Sequence, residues 1–200
     1  MGLVLPAGQR GEMKTLSCAL FAFAIASAQS TVPVIIETEL GSIEVELAAG
    51  NAPVSSANFL RYVDAGLYDN GLFHRTVTPG NQPNNTVRIE VIQAGAAPGV
   101  KPFPPIPLER TSLTGLKHLD GTISMARAAP DTADTDFFIC VGDQPALDFG
   151  GKRNPDGQGF AAFGRVTKGM EIVRKIQGAP AKGQQLTPPV RIVRIIRKPA

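Results

Sequence analysis

The sequence has little of the material from which metal sites and nucleic-acid surfaces are built. Its 200 residues include two cysteines, two histidines and no tryptophan, which leaves too few ligands for a structural zinc site. Charged residues make up only 18% of the chain and the formal net charge is +3. So small an excess does not indicate nucleic acid as a partner, because phosphate binding needs clustered Lys and Arg. No cofactor is implied.

The sequence also contains no motif that pairs a nucleophilic side chain with a histidine. The two histidines are His74 and His118, and no Ser-His-Asp or Cys-His set is apparent beside either. This argues against the common hydrolase mechanisms. A reaction that needs neither a nucleophile nor a metal suits this inventory better.

The longest apolar run, residues 16–28, is too short to cross a bilayer. It follows Met13-Lys14 and ends in Ala-Ser-Ala, a layout typical of a secretory signal peptide. We therefore expect residues 1–12 to be a non-native extension, residues 13–28 to be a signal peptide cleaved after Ala28, and residues 29–200 to be the mature domain. That domain would be exported, to the periplasm or as a secreted protein, with no membrane attachment after cleavage. An N-terminal core helix is the alternative interpretation of the run.

Short alternating segments between turn residues predict a mainly β domain. In Ser42–Leu47, for example, apolar and acidic side chains alternate, which is typical of a strand with one wet face. The 21 glycines and 17 prolines suit a turn-rich β protein. Two helices are predicted, over residues 53–65, with Asn51 as its cap, and over residues 168–176. The absence of a βαβ rhythm favours an antiparallel sandwich or closed barrel with helices at its ends.

Several motifs occur in an order that identifies a family. Phe73-His74-Arg75 lies in a predicted strand, and Gln93 ends an alternating segment. The segment ISMARAAPDTADTDFFI occupies residues 123–139 and is the most specific of these motifs. Together they resemble the cyclophilin family of peptidyl-prolyl cis-trans isomerases, over residues 34–196. The resemblance implies a closed eight-stranded antiparallel barrel with two capping helices.

The resemblance also implies a set of site residues. Arg75 takes the catalytic role and Gln93 helps to hold the substrate. The residues implied to form the pocket for the proline ring are Val91, Phe138, Leu147 and Phe160. The residues implied to form an edge strand that pairs with the substrate backbone are Ala126, Arg127 and Ala128. The chemistry is reasonable, because rotation about an X-Pro bond is opposed by an amide-resonance barrier of about 18–20 kcal/mol and breaks no bond. A charged donor to the prolyl nitrogen, beside an apolar slot for the ring, would lower that barrier.

The sequence departs from the family's pattern at the pocket. Arg75 and Gln93 are 18 residues apart because residues 81–88 are inserted between them. The family's apolar Phe-Met pair therefore falls near Glu90-Val91. Ala146 stands in the place of a pocket tryptophan on which cyclosporin recognition depends. The catalytic group is thus retained while the walls of the pocket are altered.

The function that we predict is isomerisation of X-Pro bonds in exported or unfolded proteins, with proline-containing polypeptide segments as partners and a monomeric enzyme. The alternative is a chaperone or scaffold that binds proline-containing segments on the same barrel with little turnover. A lipocalin-like carrier would share the barrel class but would need a wide, open interior, whereas the many large aliphatic residues of this chain suggest a filled one.

Overall fold

The structure, a computed structural model, describes residues 1–2 and 30–199. The predicted signal peptide, its cleavage site and most of the predicted N-terminal extension lie outside the described residues. The described part contains nine strands and three α-helices. In chain order these are β1 Val32–Thr38, β2 Gly41–Leu47, α1 Pro53–Asp64, β3 Leu72–Val77, β4 Val91–Gly95, α2 Thr111–Thr114, β5 Thr122–Met125, β6 Phe137–Cys140, β7 Ala161–Lys168, α3 Met170–Gln177, β8 Ala181–Lys182 and β9 Gln185–Arg197.

Eight of the strands form a closed antiparallel barrel. Their order around the ring is β1-β2-β7-β5-β6-β4-β3-β9, and β9 pairs again with β1. In this last pairing Ile35 lies opposite Ile196. The two-residue strand β8 is outside the ring and pairs only with the start of β9. Closure leaves no exposed edge in the ring, and the predicted barrel is confirmed.

The interior of the barrel is filled by side chains. The alternation predicted for β2 is observed, with Ile43, Val45 and Leu47 buried. Aromatic rings pack at one end of this core, where Phe59 of α1 meets Phe137 of β6 edge-on at 5.3 Å between ring centroids. A filled interior of this kind excludes the open cavity of a lipocalin-like carrier.

The helices lie against the barrel, and the start of α1 differs from the sequence-based expectation. Asn51 does not cap this helix; its Nδ2 donates instead to the Thr114 carbonyl at 3.1 Å. The carboxylate of Glu109 accepts from the backbone N–H groups of Val54 and Ser55, at 3.0 and 2.7 Å. A distant side chain thus satisfies the free donors of the first turn. No helix of the described residues is long and apolar enough to cross a membrane.

Candidate active site

A row of side chains crosses four neighbouring strands on one side of the barrel. Arg75 of β3 lies opposite Gln93 of β4, Gln93 lies opposite Phe138 of β6, and Phe138 lies opposite Ser124 of β5. Residues paired in this way project from the same face of a sheet. The strand ladder therefore brings together residues that are far apart in the sequence.

Arg75 is half-buried and held by two glutamine side chains. Its Nη1 donates to Gln93 Oε1 at 2.9 Å. Its Nε and Nη2 both donate to Gln184 Oε1, at 2.9 and 2.6 Å. Burial, and secondarily the positive charge of Arg153, lowers the pKa of the Arg75 guanidinium, which stays charged because arginine starts from so high a value. The result is a fixed cation whose hydrogen-bond acceptors are neutral amides.

Gln93 connects this cation to a carboxylate. Its Nε2 donates to Asp136 Oδ2 at 2.9 Å, while its Oε1 accepts from Arg75. His74 Nε2 lies 3.5 Å from the same Asp136 oxygen. The missing side chain of Gly95 makes room for this carboxylate, since a Cβ there would lie 2.1 Å from Asp136 Oδ1. Asp136 therefore fixes the orientation of the Gln93 amide, with its oxygen toward Arg75.

All nine residues implied by the resemblance line one cavity of about 510 Å³: Arg75, Val91, Gln93, Ala126, Arg127, Ala128, Phe138, Leu147 and Phe160. Its apolar floor includes Phe138, at 4% exposure, and Leu147, which is fully buried. Phe160 closes one side and meets Phe138 edge-on at 5.3 Å. The cavity thus has an apolar floor with a cation on its rim.

Ile89 completes the apolar floor, and the sequence analysis missed it. It is 6% exposed, lines the cavity and packs in the same cluster as Val91 and Phe138. Glu90, the expected occupant, accepts instead from Gln177 Nε2 of α3 at 3.1 Å. The apolar pair that the resemblance placed near Glu90-Val91 is thus supplied here by Ile89 and Val91. In the sequence, the only signal for Ile89 as a pocket residue was its hydrophobicity and its position two residues before Val91.

The insertion between β3 and β4 is organised by one buried glutamine. Gln82 donates to the carbonyls of Thr78 and Ile89, at 2.8 and 2.7 Å, and accepts from the Ile89 N–H at 3.2 Å. These bonds replace strand pairing over residues 87–90, although the alternation of apolar side chains begins at Val87, and β4 begins at Val91. The insertion leaves the Arg75–Gln93 register intact because it loops out at the end of the hairpin.

Arg127 on the predicted substrate edge is bound within the protein. Its Nη1 and Nη2 donate to Asp156 at 2.8 and 3.0 Å, and its Nε donates to the Gly159 carbonyl at 2.8 Å. The guanidinium also lies over the Phe160 ring, 5.1 Å from its centroid. With a side chain that is only 1% exposed, Arg127 fastens the loop of residues 150–159 to the cavity.

A Ser-His-Asp arrangement lies beneath the cavity, contrary to the expectation from the sequence. His118 Nδ1 is 2.8 Å from Asp148 Oδ1, and His118 Nε2 is 3.0 Å from Ser124 Oγ. Since a carboxylate only accepts, Nδ1 carries the proton that it shares with Asp148. The ring stacks beneath Phe138 at 6.0 Å. Ser124 and the His118 side chain are fully buried, so the serine is no accessible nucleophile and the set supports the pocket floor.

The comparisons with known proteins agree with this geometry. The family model described as cyclophilin-type peptidyl-prolyl cis-trans isomerase matches residues 33–197. The chain belongs to this family. Peptidyl-prolyl cis-trans isomerase A of Dickeya dadantii is 37% identical over 162 residues, which cover 80% of this chain and 78% of that protein. Peptidyl-prolyl cis-trans isomerase B of Escherichia coli is 35% identical over 147 residues, covering 72% of this chain and 84% of that one.

A solved structure gives the same fold at lower identity. The cyclophilin-type peptidyl-prolyl cis-trans isomerase of Cryptosporidium parvum superposes with a TM-score of 0.69 at 22% identity, covering 86% of this chain and 99% of that one. This likeness shows that the fold is shared. Within the described residues no group of three or more His, Cys, Asp or Glu side chains is placed to hold a metal ion.

Proposed function

We propose that Arg75 catalyses the rotation by donating a hydrogen bond to the prolyl nitrogen of the substrate. The observation that carries this proposal is the position of Arg75, a half-buried cation held by Gln93 and Gln184 at the rim of an apolar cavity. As the X-Pro bond twists, its nitrogen loses resonance and gains a lone pair that can accept a hydrogen bond. A donor that is already oriented stabilises this state more than the planar ground state.

The apolar floor would hold the proline ring during this rotation. Phe138, Leu147 and Val91 supply it together with Ile89, and Phe160 forms its side wall. Gln93 would orient Arg75 through its amide oxygen and, where the arginine turns toward substrate, contact the substrate backbone. Ala126, Arg127 and Ala128 continue β5 beyond Met125, where a substrate backbone could pair with them.

The partners that we propose are proline-containing segments of flexible or unfolded polypeptides. A solved structure of the Cryptosporidium parvum protein was obtained in the presence of the dipeptide Ala-Pro, which supports this class of ligand. We propose that the enzyme acts as a monomer, with one barrel supplying every residue of the proposed site.

We propose further that residues 29–200 form the mature protein and act outside the cytoplasm, in the periplasm or after secretion. The basic start, apolar middle and Ala-Ser-Ala end of residues 13–28 support this location. N-terminal sequencing of the exported protein should give Gln29 as its first residue. Retention of the segment that begins at Met13 would overturn the proposal.

The catalytic role of Arg75 is tested by isomerisation kinetics on X-Pro peptides, by proton NMR exchange. We expect Arg75→Ala to lower kcat by about two to three decades, the effect of removing one oriented donor of about 3–4 kcal/mol, and to change peptide affinity much less. Arg75→Lys should not restore the rate, because an ammonium lacks the planar fork. Arg165→Ala is the control, since this arginine is 71% exposed and pairs with Glu46. A folded Arg75→Ala protein with unchanged kcat would remove the assignment.

A further inference from the structure

A second arginine faces the cavity from the loop of residues 150–159. Arg153 is half-buried and lines the same cavity as Arg75. Its Nη1 donates to two neutral acceptors, the Val87 carbonyl at 2.7 Å and Gln82 Oε1 at 3.1 Å. Its backbone N–H donates to the Ala146 carbonyl at 3.1 Å. These contacts fix the side chain across the rim of the cavity.

No described residue neutralises the charge of Arg153. No carboxylate of the residues that the structure describes lies within 4 Å of its guanidinium, and its Nε and Nη2 donate to no group there. Arg127, by contrast, carries a bidentate partner in Asp156. The field of Arg153 reaches the catalytic group, because it contributes to lowering the pKa of Arg75. Two cations therefore share one rim of the site.

The acidic groups that line the cavity lie on the other side of Gln93. Asp136 accepts from Gln93 Nε2, whereas Arg75 donates to the oxygen of the same amide. Asp136 is also bound by the Thr135 hydroxyl at 3.0 Å, and Asp134 accepts from the Thr135 N–H at 2.6 Å. The cavity is thus polarised, with carboxylates at the β6 end and the two arginines toward the inserted loop and the loop of residues 150–159.

We propose that Arg153 is a specificity-determining residue that favours substrates with a carboxylate on a residue next to the X-Pro bond. Such a carboxylate could accept from the free Nε and Nη2 donors of Arg153 while Arg75 acts on the prolyl nitrogen. Two oriented N–H donors suit a carboxylate, which accepts them in a bidentate manner. This inference rests on the proposed function, because it places the X-Pro bond at Arg75.

The test compares matched Glu and Gln peptides with acetylated and amidated ends. One pair varies the residue before proline and the other varies the residue after it, so the two arms distinguish the side on which the carboxylate lies. For at least one pair we expect the wild-type kcat/KM to be roughly five- to tenfold higher for the Glu peptide than for the Gln peptide. This ratio lies between the effect of an exposed ion pair and that of a buried charge-assisted hydrogen bond. The preference should decrease between about 0.05 and 0.5 M salt, because a partly exposed ion pair is screened.

Substitutions assign this preference to a single side chain. Arg153→Gln should reduce the Glu/Gln ratio to about one, and Arg153→Lys should keep a ratio above one because it keeps the charge. Lys152→Gln is the matched control, since it removes the same charge from an exposed neighbour that does not line the cavity. A wild-type ratio of one in both arms, a ratio retained in Arg153→Gln, or an equal loss in Lys152→Gln would overturn the proposal.

Calorimetric affinities for the same peptides separate this inference from the catalytic proposal. If Arg75 is not the catalytic donor, the rate on neutral peptides will survive in Arg75→Ala while the preference of the wild type for Glu persists. If Arg153 does not select a carboxylate, the wild type will bind the Glu and Gln peptides equally, whatever their turnover.

Discussion

Gln184 should control the rate of the reaction without touching the substrate. It lies at the turn between β8 and β9, where its Oε1 accepts from both Nε and Nη2 of Arg75 and its Nε2 donates to the Asn81 carbonyl at 3.2 Å. It is not among the residues that line the cavity. In Gln184→Ala the guanidinium would keep its one bond to Gln93 and gain freedom to rotate.

The expected loss follows from these bonds. A hydrogen bond to a charged group contributes about 1.5–3 kcal/mol net when buried. Gln184 is partly exposed, so water replaces part of the interaction, and we expect about 1.4 kcal/mol to be lost from the transition state. That is a tenfold fall in kcat. KM should change by less than about twofold, because the binding surfaces are unaltered.

The assay is a double-mutant cycle with kcat as the readout. A residue that acts through Arg75 should have no effect once Arg75 is alanine, so Gln184→Ala should lower the rate of the wild type and leave that of Arg75→Ala unchanged. Arg165→Ala is again the control, because its exposed side chain pairs with Glu46 and makes no hydrogen bond to Arg75. An undiminished kcat in folded Gln184→Ala, or an equal fall in both backgrounds, would refute the positioning role.

Three further predictions concern the pocket floor and wall. His118→Ala should lower the free energy of unfolding in urea by about 2–4 kcal/mol, because it removes the buried ring that bonds both Asp148 and Ser124. His74→Ala, at a side chain that is 39% exposed, should cost less than about 1 kcal/mol, and equal losses would contradict this account. Burial raises the pKa of Asp148, but bonds from the His118 ring and backbone, with the charges of His118 and Lys117, outweigh it and lower the pKa below its ordinary value. The stabilisation is therefore complete above the unfolded pKa of about 3.9 and is lost as pH falls through the folded value; acid unfolding of Asp148→Asn, compared with the wild type, should show a smaller change over that range. Cyclosporin should bind weakly by calorimetry, because Ala146 supplies no ring and loss of a large aromatic contact typically costs about 2 kcal/mol or more; tight binding would contradict this.

The barrel could be predicted because its signals are local. Alternation in β2 identifies which face is buried, and Pro53 marks the first turn of α1. The start of that helix was predicted less well, because the group that accepts from its first N–H groups is the carboxylate of Glu109. The expected cap, Asn51, is a neighbour in the sequence, whereas Glu109 is distant. Local chemistry shows that a helix terminus needs an acceptor, but tertiary packing decides which residue provides it.

The site could be predicted only as far as the resemblance extends. Arg75 and Gln93 fall in motifs, and the strand register places them opposite each other despite the insertion. Gln184 lies 109 residues beyond Arg75 in a short turn with no distinctive composition, so nothing in the sequence marks it as a partner. Ile89 was missed because an insertion leaves the alignment of the next few residues undetermined, and Gln82 fixes it only in three dimensions.

The altered wall of the pocket joins two segments that are far apart in the sequence. Ala146 lacks the aromatic ring of the family, and its carbonyl anchors the backbone of Arg153 at 3.1 Å. The Arg153 side chain then spans to Gln82 and Val87 of the inserted segment, residues 81–88. The inserted segment and the loop of residues 150–159 therefore meet at the cavity, and a charged group lies between them. Because charge is screened by salt and ring stacking is not, substrate selection at this wall should depend on ionic strength, while the apolar floor should hold proline independently of it.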